Sequence, residues 1–235
     1  MATKPTKPRT PTKPTKRTKS ARQPLTRALV LQHAMALADA RGIDALSMRS
    51  LASELGIEAM SLYHHVANKE QILDGMIDIV FAEIGLPAAD LSWSAALRWR
   101  ATSARRVLMQ HPWAVGLMDS RTSMGTATMR HHDTMIGVLR LAGFSMREVA
   151  KVAALLDAFV FGFVLQERSL PGSSAEEIEA MTHGMLEQFP ADQYPNFRAF
   201  VIEHVLQPGF AFGNEFERGL NVILDGLVAE NAARR

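Results

Sequence analysis

Side chains suited to contacts with bases and phosphates are concentrated between residues 47 and 69, in the stretch SMRSLASELGIEAMSLYHHVANK. Serine and histidine exchange hydrogen bonds with base edges, and methionine contacts the methyl group of thymine. Tyrosine, lysine and arginine reach the phosphate oxygens of a nucleic-acid backbone. The side chains that could make such contacts are Arg49, Met60, Ser61, Tyr63, His64, His65 and Lys69.

Two short helices are needed to position these side chains. Leu51 and Leu55 lie four residues apart on one helical face, and Gly56 follows where a helix ends, because glycine adopts a left-handed backbone at low cost. A second helix places three residues inward at spacings of three and four: Ala59, Leu62 and Val66. The pattern predicts a helix-turn-helix unit whose second helix enters the DNA major groove, with an ordinary helical hairpin as the alternative.

The same stretch resembles the DNA-binding region of the TetR family of bacterial transcription regulators. The similar features are, in order, S/T-x-R-x-L/I-A-x-x-L-G-I/V, then S/T-L-Y-x-H-V/F, then N/D-K, then a helix that opens with Ile72, Leu73 and Asp74. The resemblance implies that Tyr63 and Lys69 contact backbone phosphates. His65 also fits a hydrogen-bonded position in the core.

The resemblance continues, with less specific segments, into the rest of the chain. HPW at 111–113, LRLAGFS at 139–145 and FERGLNVILDGL at 216–227 are similar to the C-terminal domain of the tetracycline-repressor branch. Similar segments cover most of residues 25–230. Ala59 and Met60 stand where that branch has Gln-Pro, so its operator sequence does not carry over.

Helical periodicity accounts for the whole body of the chain, and no strand-like alternation of useful length occurs. We therefore predict an all-α protein with a first helix at 25–41 and a connector helix, residues 68–85, between two helical domains. Ser47 is the predicted N-cap of the second helix, and Asn68 is that of the connector helix. The predicted organisation is a disordered basic tail at 1–24, a helix-turn-helix domain at 25–86, and a ligand-binding and dimerisation domain at 91–231. The predicted helices of the last domain are 94–110, 122–142, 145–168, one that ends near 187, 196–206 and 214–230.

Charge is distributed unevenly along the 235 residues. Residues 1–24 hold eight of the 26 basic residues and none of the 24 acidic ones, so the remaining chain is mildly acidic. A flexible cationic arm before a DNA-binding module neutralises phosphates without reading sequence. A solubilising extension, native or added during cloning, is the alternative.

Several classes of protein are disfavoured by the sequence. Cysteine is absent, which excludes disulfides and thiolate metal sites. The longest apolar stretch, 152–165, is interrupted by Asp157 and is too short to span a bilayer. No nucleophile–base–carboxylate spacing and no phosphate-binding loop occurs. We therefore expect a soluble cytoplasmic protein that is not an enzyme and uses no cofactor.

A metal site is not expected either. His131, His132 and Asp133 are adjacent, and neighbouring residues on a helix point about 100° apart, so the three do not converge on one ion. A solvated or pocket-edge cluster is the favoured interpretation. Where the tetracycline-repressor branch holds its drug–magnesium complex, this chain has Leu117, Met118 and Arg100, so a tetracycline is not the expected effector.

A mostly apolar small molecule is the expected effector, bound between helices 94–110, 122–142 and 145–168. A packed core without a cavity is the alternative. Residue type and inward direction select the candidate lining: Trp113, Met118, Met135, Leu139 and Asp157. For Asp157, a hydrogen bond in this pocket or at a dimer interface fits better than catalysis.

The resemblance also implies a homodimer. The sequence supports this, because helices 145–168 and 214–230 have more apolar surface than one partner face covers. Two recognition helices on a twofold axis require a pseudo-palindromic operator in double-stranded DNA. The expected function is a transcriptional repressor that its effector releases from this operator. The alternative is a ligand-independent architectural or global DNA-binding regulator, which effector-dependent release would separate from a repressor.

Overall fold

The computed structural model describes residues 24–118, 120–121, 123–170, 175–188 and 193–233, which form helices, turns and loops without a strand. Apart from Pro24, the predicted basic tail lies outside the described residues. The helices are α1 (Arg27–Arg41), α2 (Met48–Leu55), α3 (Ala59–Leu62), α4 (Lys69–Ile84), α5 (Trp93–Gln110), α6 (Val115–Met118), α7 (Thr126–Leu141), α8 (Met146–Ser169), α9 (Ala175–Gln188), α10 (Pro195–Phe200) and α11 (Glu215–Ala232).

Helices α1 to α3 form the helix-turn-helix module. The Ser47 side chain caps α2 by accepting a hydrogen bond from the backbone N–H of Ser50 at 3.0 Å. Gly56 ends α2 in the left-handed conformation, with φ of 63°, which is the turn that its position predicts. Leu51 and Leu62 are fully buried beneath this turn, so the two helices share one apolar core.

Two boundaries in this module differ from those predicted. Helix α1 begins at Arg27 rather than residue 25, because the Thr26 hydroxyl caps it by accepting from the N–H of Leu29 at 3.2 Å. The regular part of α3 ends at Leu62. Beyond it the chain closes into a turn in which the Leu62 carbonyl accepts from the N–H groups of both His65 and Val66.

The connector α4 joins the module to the rest of the protein. Asn68 caps it by accepting from the N–H of Gln71 at 2.9 Å, as predicted, and Gly85 ends it with φ of 74°. One face of α4 packs on α1, and other faces meet α5 and α7. Helix α4 is therefore in contact with both domains.

Helices α5, α7, α8 and α11 build the second domain, with α5 packed between α8 and α11. Ser145 and Glu148 form a capping box at the start of α8. Helix α7 begins at Thr126, four residues later than predicted, because Asp78 of α4 holds its first turn. The backbone N–H and the hydroxyl of Thr128 donate to Asp78 Oδ1 at 2.8 and 3.0 Å.

Apolar side chains remain exposed along the two helices that were assigned to a dimer interface. On α8, Leu155 and Leu165 are 45% and 52% exposed, and on α11 Val222 is 71% exposed. A second copy of the same face would cover them, as in a four-helix bundle at a twofold axis. Among the described residues, every helix falls short of the length and apolar character that crossing a bilayer requires.

Candidate DNA-binding surface and effector cavity

The predicted DNA-contacting residues lie together on the outer side of the helix-turn-helix module. Met60 is 73% exposed and Tyr63 is 47% exposed, and His64 is exposed beside them. Ser61, His65 and Lys69 are half-buried and Arg49 is exposed. Leu62 and Val66 fix the backbone under this surface, since both are buried.

The side chains of this surface are available to contact a ligand. Within the described residues, none of its seven side chains forms a hydrogen bond or ion pair with another part of the chain. Lys69 is the first residue of α4, where the free N–H groups of a helix N-terminus add to its positive charge. The half-buried position of His65 leaves both of its predicted roles open.

A second cluster of polar residues lies where the two domains meet. His111, which follows α5, uses both ring nitrogens: Nδ1 lies 2.8 Å from Asp39 Oδ1 of α1, and Nε2 lies 2.9 Å from Glu83 Oε2 of α4. The indole N–H of Trp113 donates to the same Asp39 oxygen at 2.6 Å. We call these four residues the junction cluster. It ties α1, α4 and the end of α5 together.

The junction cluster favours a charged imidazole. Burial lowers the pKa of His111, but hydrogen bonds to Asp39 and Glu83 and their negative charges outweigh it, so the pKa lies above its ordinary value of 6.5. A protonated ring donates from both nitrogens, which suits two carboxylate acceptors.

A loop from the second domain also forms ion pairs with the first turns of α4. Arg121 Nη1 donates to Glu70 Oε2 at 2.5 Å and lies 3.7 Å from Asp74 Oδ1. Glu70 directly follows Lys69, and the Thr128–Asp78 contact lies further along the same helix. The second domain therefore holds the connector on the side that leads to the DNA-binding surface.

A small cavity of about 50 Å³ lies between α5, α7 and α8. Its wall is mostly apolar, with one group of polar side chains from all three helices. The lining consists of Leu97, Arg100, His131, His132, Met135, Ile136, Leu139, Val149, Val152, Ala153, Leu156 and Asp157. Concave apolar sites with a few converging polar groups are the usual form of small-molecule sites.

The polar group inside the cavity contains an ion pair and a histidine. Arg100 of α5, 8% exposed, donates from Nη2 to Asp157 Oδ1 of α8. His131 of α7 is 1% exposed, and neither of its ring nitrogens has a hydrogen-bond partner among the described residues. Desolvation by burial, with further contributions from the charge of Arg100 and from His132, lowers the pKa of His131 to about 3.

Three of the five predicted effector-binding residues line this cavity: Met135, Leu139 and Asp157. Trp113 lies in the junction cluster instead, and Met118, at the end of α6, is half-buried against the core. The predicted pocket hydrogen bond of Asp157 is the ion pair with Arg100. Their part in effector binding stays a prediction.

Sequence reasoning did not select Arg100 or His131 as effector-binding residues. His131 was assigned to a solvated or pocket-edge cluster. The structure places His131 and His132 in the cavity lining, with His131 buried, and leaves Asp133 exposed. A usable signal was present, because His131 is four residues before Met135 and eight before Leu139, on the same helical face. The described residues contain no group of three potential metal ligands close enough to hold an ion.

Two family descriptions match the chain. Residues 30–76 match "Bacterial regulatory proteins, tetR family", and residues 86–230 match "Tetracyclin repressor-like, C-terminal domain". The transcriptional repressor DrrR1 of Streptomyces coeruleorubidus is 32% identical over 220 residues, which is 90% of this chain and 80% of that protein. The class A tetracycline repressor of Escherichia coli is 31% identical over 201 residues, 84% of this chain and 88% of the other.

Solved structures give the same relationship. The TetR-family protein ActR of Streptomyces coelicolor, in complex with actinorhodin, is 31% identical with a TM-score of 0.71, and the match covers 89% of this chain and 99% of that one. The structure of ActR without a ligand matches over the same shares, with a TM-score of 0.68.

Proposed function

The chain belongs to the TetR family of bacterial regulatory proteins, and from that premise we propose that it represses transcription until a small molecule fills the cavity between α5, α7 and α8. It is a DNA-binding transcriptional regulator that acts as a homodimer on double-stranded DNA. We place it in the cytoplasm, where a bacterial chromosome is accessible, and assign it no enzymatic activity.

One observation carries the DNA-binding role. Met60, Tyr63 and His64 form an exposed surface directly over the buried Leu62 and Val66. A rigid core beneath exposed polar and apolar tips suits base and phosphate contacts in a major groove. Two such surfaces on a twofold axis meet half-sites one helical turn apart, ~34 Å.

Release from DNA requires that the effector prefer one spacing of the two DNA-binding modules over the other. Helix α7 lines the cavity, and its first turn is held by Asp78 of α4 through Thr128. A molecule that separates α7 from α8 would therefore pull on α4. Lys69 and the DNA-binding surface lie at the far end of α4, so a small displacement of α4 changes their position on DNA.

Footprinting of genomic fragments with the full chain tests the operator. We expect a protected site with dyad symmetry, and protection without any dyad-symmetric site would contradict repression by a dimer. The two tyrosines of the chain supply a matched pair of variants. Tyr63→Phe should weaken binding to every sequence about tenfold, the scale of one hydrogen bond to a charged group. Tyr194→Phe, in the second domain, should leave binding unchanged.

The basic tail is proposed to add affinity without sequence preference. Deleting residues 1–22 should weaken operator binding and flatten its dependence on salt, since each phosphate contact contributes about 0.9 to the slope of log K against log salt. The sequence preference should stay the same. An unchanged slope would show that the tail does not contact DNA.

A further inference from the structure

The cavity between α5, α7 and α8 has polar groups whose hydrogen-bonding capacity is incompletely used. Asp157 accepts from Arg100 through Oδ1, and its side chain remains 24% exposed. His131 has a ring with two nitrogens, and neither has a partner among the described residues. An unpartnered polar group that is 1% exposed costs stability, and a ligand that pairs with its nitrogens would remove that cost.

The charge on these groups decides what kind of molecule they can bind. Arg100 and Asp157 neutralise each other across the cavity wall. The low pKa of His131, about 3, keeps its ring neutral near pH 7, so it offers one N–H donor and one nitrogen acceptor. An anionic ligand group would compete with Asp157 for Arg100, and a cationic one would meet the buried guanidinium.

Accordingly, we propose that the effector is an uncharged, mostly apolar molecule with one polar edge that carries both a hydrogen-bond donor and a hydrogen-bond acceptor, and that His131 is the residue that recognises this edge. A hydroxyl group and a carbonyl group on one edge of the molecule have this chemistry. The hydroxyl donates to the ring nitrogen of His131 or to Asp157, and the carbonyl accepts from the ring N–H or from Arg100. The proposal rests on the assignment of this cavity to the effector.

The size of the cavity links recognition to release. About 50 Å³ is less than a bicyclic molecule occupies, so such a ligand must push α7 away from α5 or α8. Met135 and Leu139 lie one and two turns beyond His131 on α7 and would contact the apolar body of the ligand. The polar edge therefore sits at the end of α7 that is nearer to Thr128 and its contact with α4.

Two uncharged compounds and one anionic compound with the same ring system test the proposed chemical class of the effector. The probes are 1-tetralone, 7-hydroxy-1-tetralone and the 7-carboxylate of 1-tetralone, titrated into the full chain by calorimetry at pH 7.5. We expect the hydroxy ketone to bind about tenfold more tightly than 1-tetralone and the carboxylate to bind least, because a site with buried polar groups discriminates against a molecule that leaves them unpaired. Equal affinities, a preference for the carboxylate, or no binding by any probe would overturn the proposal.

Substitutions at His131 test whether this residue forms the hydrogen bonds to the polar edge of the ligand. His131→Leu should remove the preference for the hydroxy ketone over 1-tetralone, whereas His131→Gln, which keeps a donor and an acceptor, should retain this preference. Met129→Leu, on the exposed side of the same helix, is the control and should bind like the native chain. A preference that survives His131→Leu would overturn the role of His131.

Thermal unfolding without any probe gives a separate result. Removing an unpartnered buried polar group should leave the melting temperature of His131→Leu equal to or above that of the native chain. The ring of His131 also packs against Phe81, with centroids 5.1 Å apart, so a decrease larger than the loss of this ring contact would show that the His131 nitrogens have a structural partner and would overturn the proposal. Operator binding in the absence of probes reports on the proposed function alone, so the failure of one is distinguishable from the failure of the other.

Discussion

Two buried histidines in this protein have opposite surroundings. His111, at the junction of the two domains, is 9% exposed and uses both ring nitrogens against carboxylates. His131, in the cavity of the second domain, is 1% exposed and has neither nitrogen paired among the described residues. The first has a raised pKa, and the second has a pKa lowered to about 3.

The difference teaches that burial by itself does not decide the charge of a histidine. Desolvation lowers the pKa of both rings, and at His111 the charges of Asp39 and Glu83 reverse the result. The junction therefore favours the charged form of its histidine, which contacts α1 and α4 from the end of α5. The cavity keeps its histidine neutral, with a donor and an acceptor available to a ligand.

The largest expected effect on stability comes from removing the positive charge of Arg100 in the cavity. Arg100→Leu leaves Asp157 with a charge and no partner in a mostly apolar site. We expect the free energy of unfolding to fall by about 3 kcal/mol, at the lower end for a broken buried pair because Asp157 is partly exposed. Urea unfolding at a fixed protein concentration measures it, since a dimer's stability depends on concentration.

The double variant Arg100→Leu/Asp157→Leu is the control for this experiment. Removing both charges also removes the unpaired carboxylate, so most of the lost stability should return. A double variant as unstable as Arg100→Leu would show that the arginine stem matters through its packing and that the charge balance of the cavity does not.

The next effect in size concerns the pH dependence of His131→Leu. The unfolded chain gains a proton at this histidine as the pH falls below 6.5, whereas the folded protein does so only near 3, so acidification favours unfolding. At pH 5 the native chain should have lost about 2 kcal/mol through this group relative to pH 8. The variant lacks this loss, so the difference between the two unfolding free energies should change by that amount. A constant difference would show that His131 is paired.

The helix-turn-helix module was predicted accurately because its signals are local. Ser47, Gly56 and Asn68 each act on backbone groups within four residues, and each has the predicted cap or turn geometry. Side-chain spacing within one turn likewise placed Leu62 and Val66 inward and Met60 outward. Such effects can be read from the order of residues alone.

The cavity was predicted less completely, because its polar group depends on contacts between distant parts of the chain. Arg100 meets Asp157 from 57 positions away, and the start of α7 is set by Asp78 from 50 positions before Thr128. Residue type and helical direction selected Met135, Leu139 and Asp157, which line this cavity. The same criteria also selected Trp113 as a lining residue. The residues near Trp113 in the sequence do not indicate that its partner is Asp39, 74 positions earlier.

A smaller effect is expected at the junction when the charge of His111 is removed. The raised pKa means that its stabilisation is fully present below pH 6.5 and is lost as the pH rises through the higher folded-state value. His111→Gln should therefore cost about 1.5 kcal/mol at pH 6, the scale of hydrogen bonds to charged groups, and less at pH 9. Urea unfolding at both pH values measures this. A cost that grows with pH would reverse the assignment of a charged ring.

The smallest effect, about 1 kcal/mol, is expected from the hydrogen bond that the Trp113 N–H donates to Asp39. Trp113→Phe removes this donor and keeps an aromatic ring beside His111, but it also removes part of the buried indole, so its total cost is larger. Asp39 would then accept from His111 alone, and the pair should become more dependent on the proton of that ring. We therefore expect the pH-dependent part of the His111→Gln cost to be at least as large in the Trp113→Phe background as in the native chain. Urea unfolding of the double-variant cycle at pH 6 and pH 9 measures the coupling. A pH-dependent cost that disappears in this background would show that Trp113, and not the ion pairs of His111, holds the junction together.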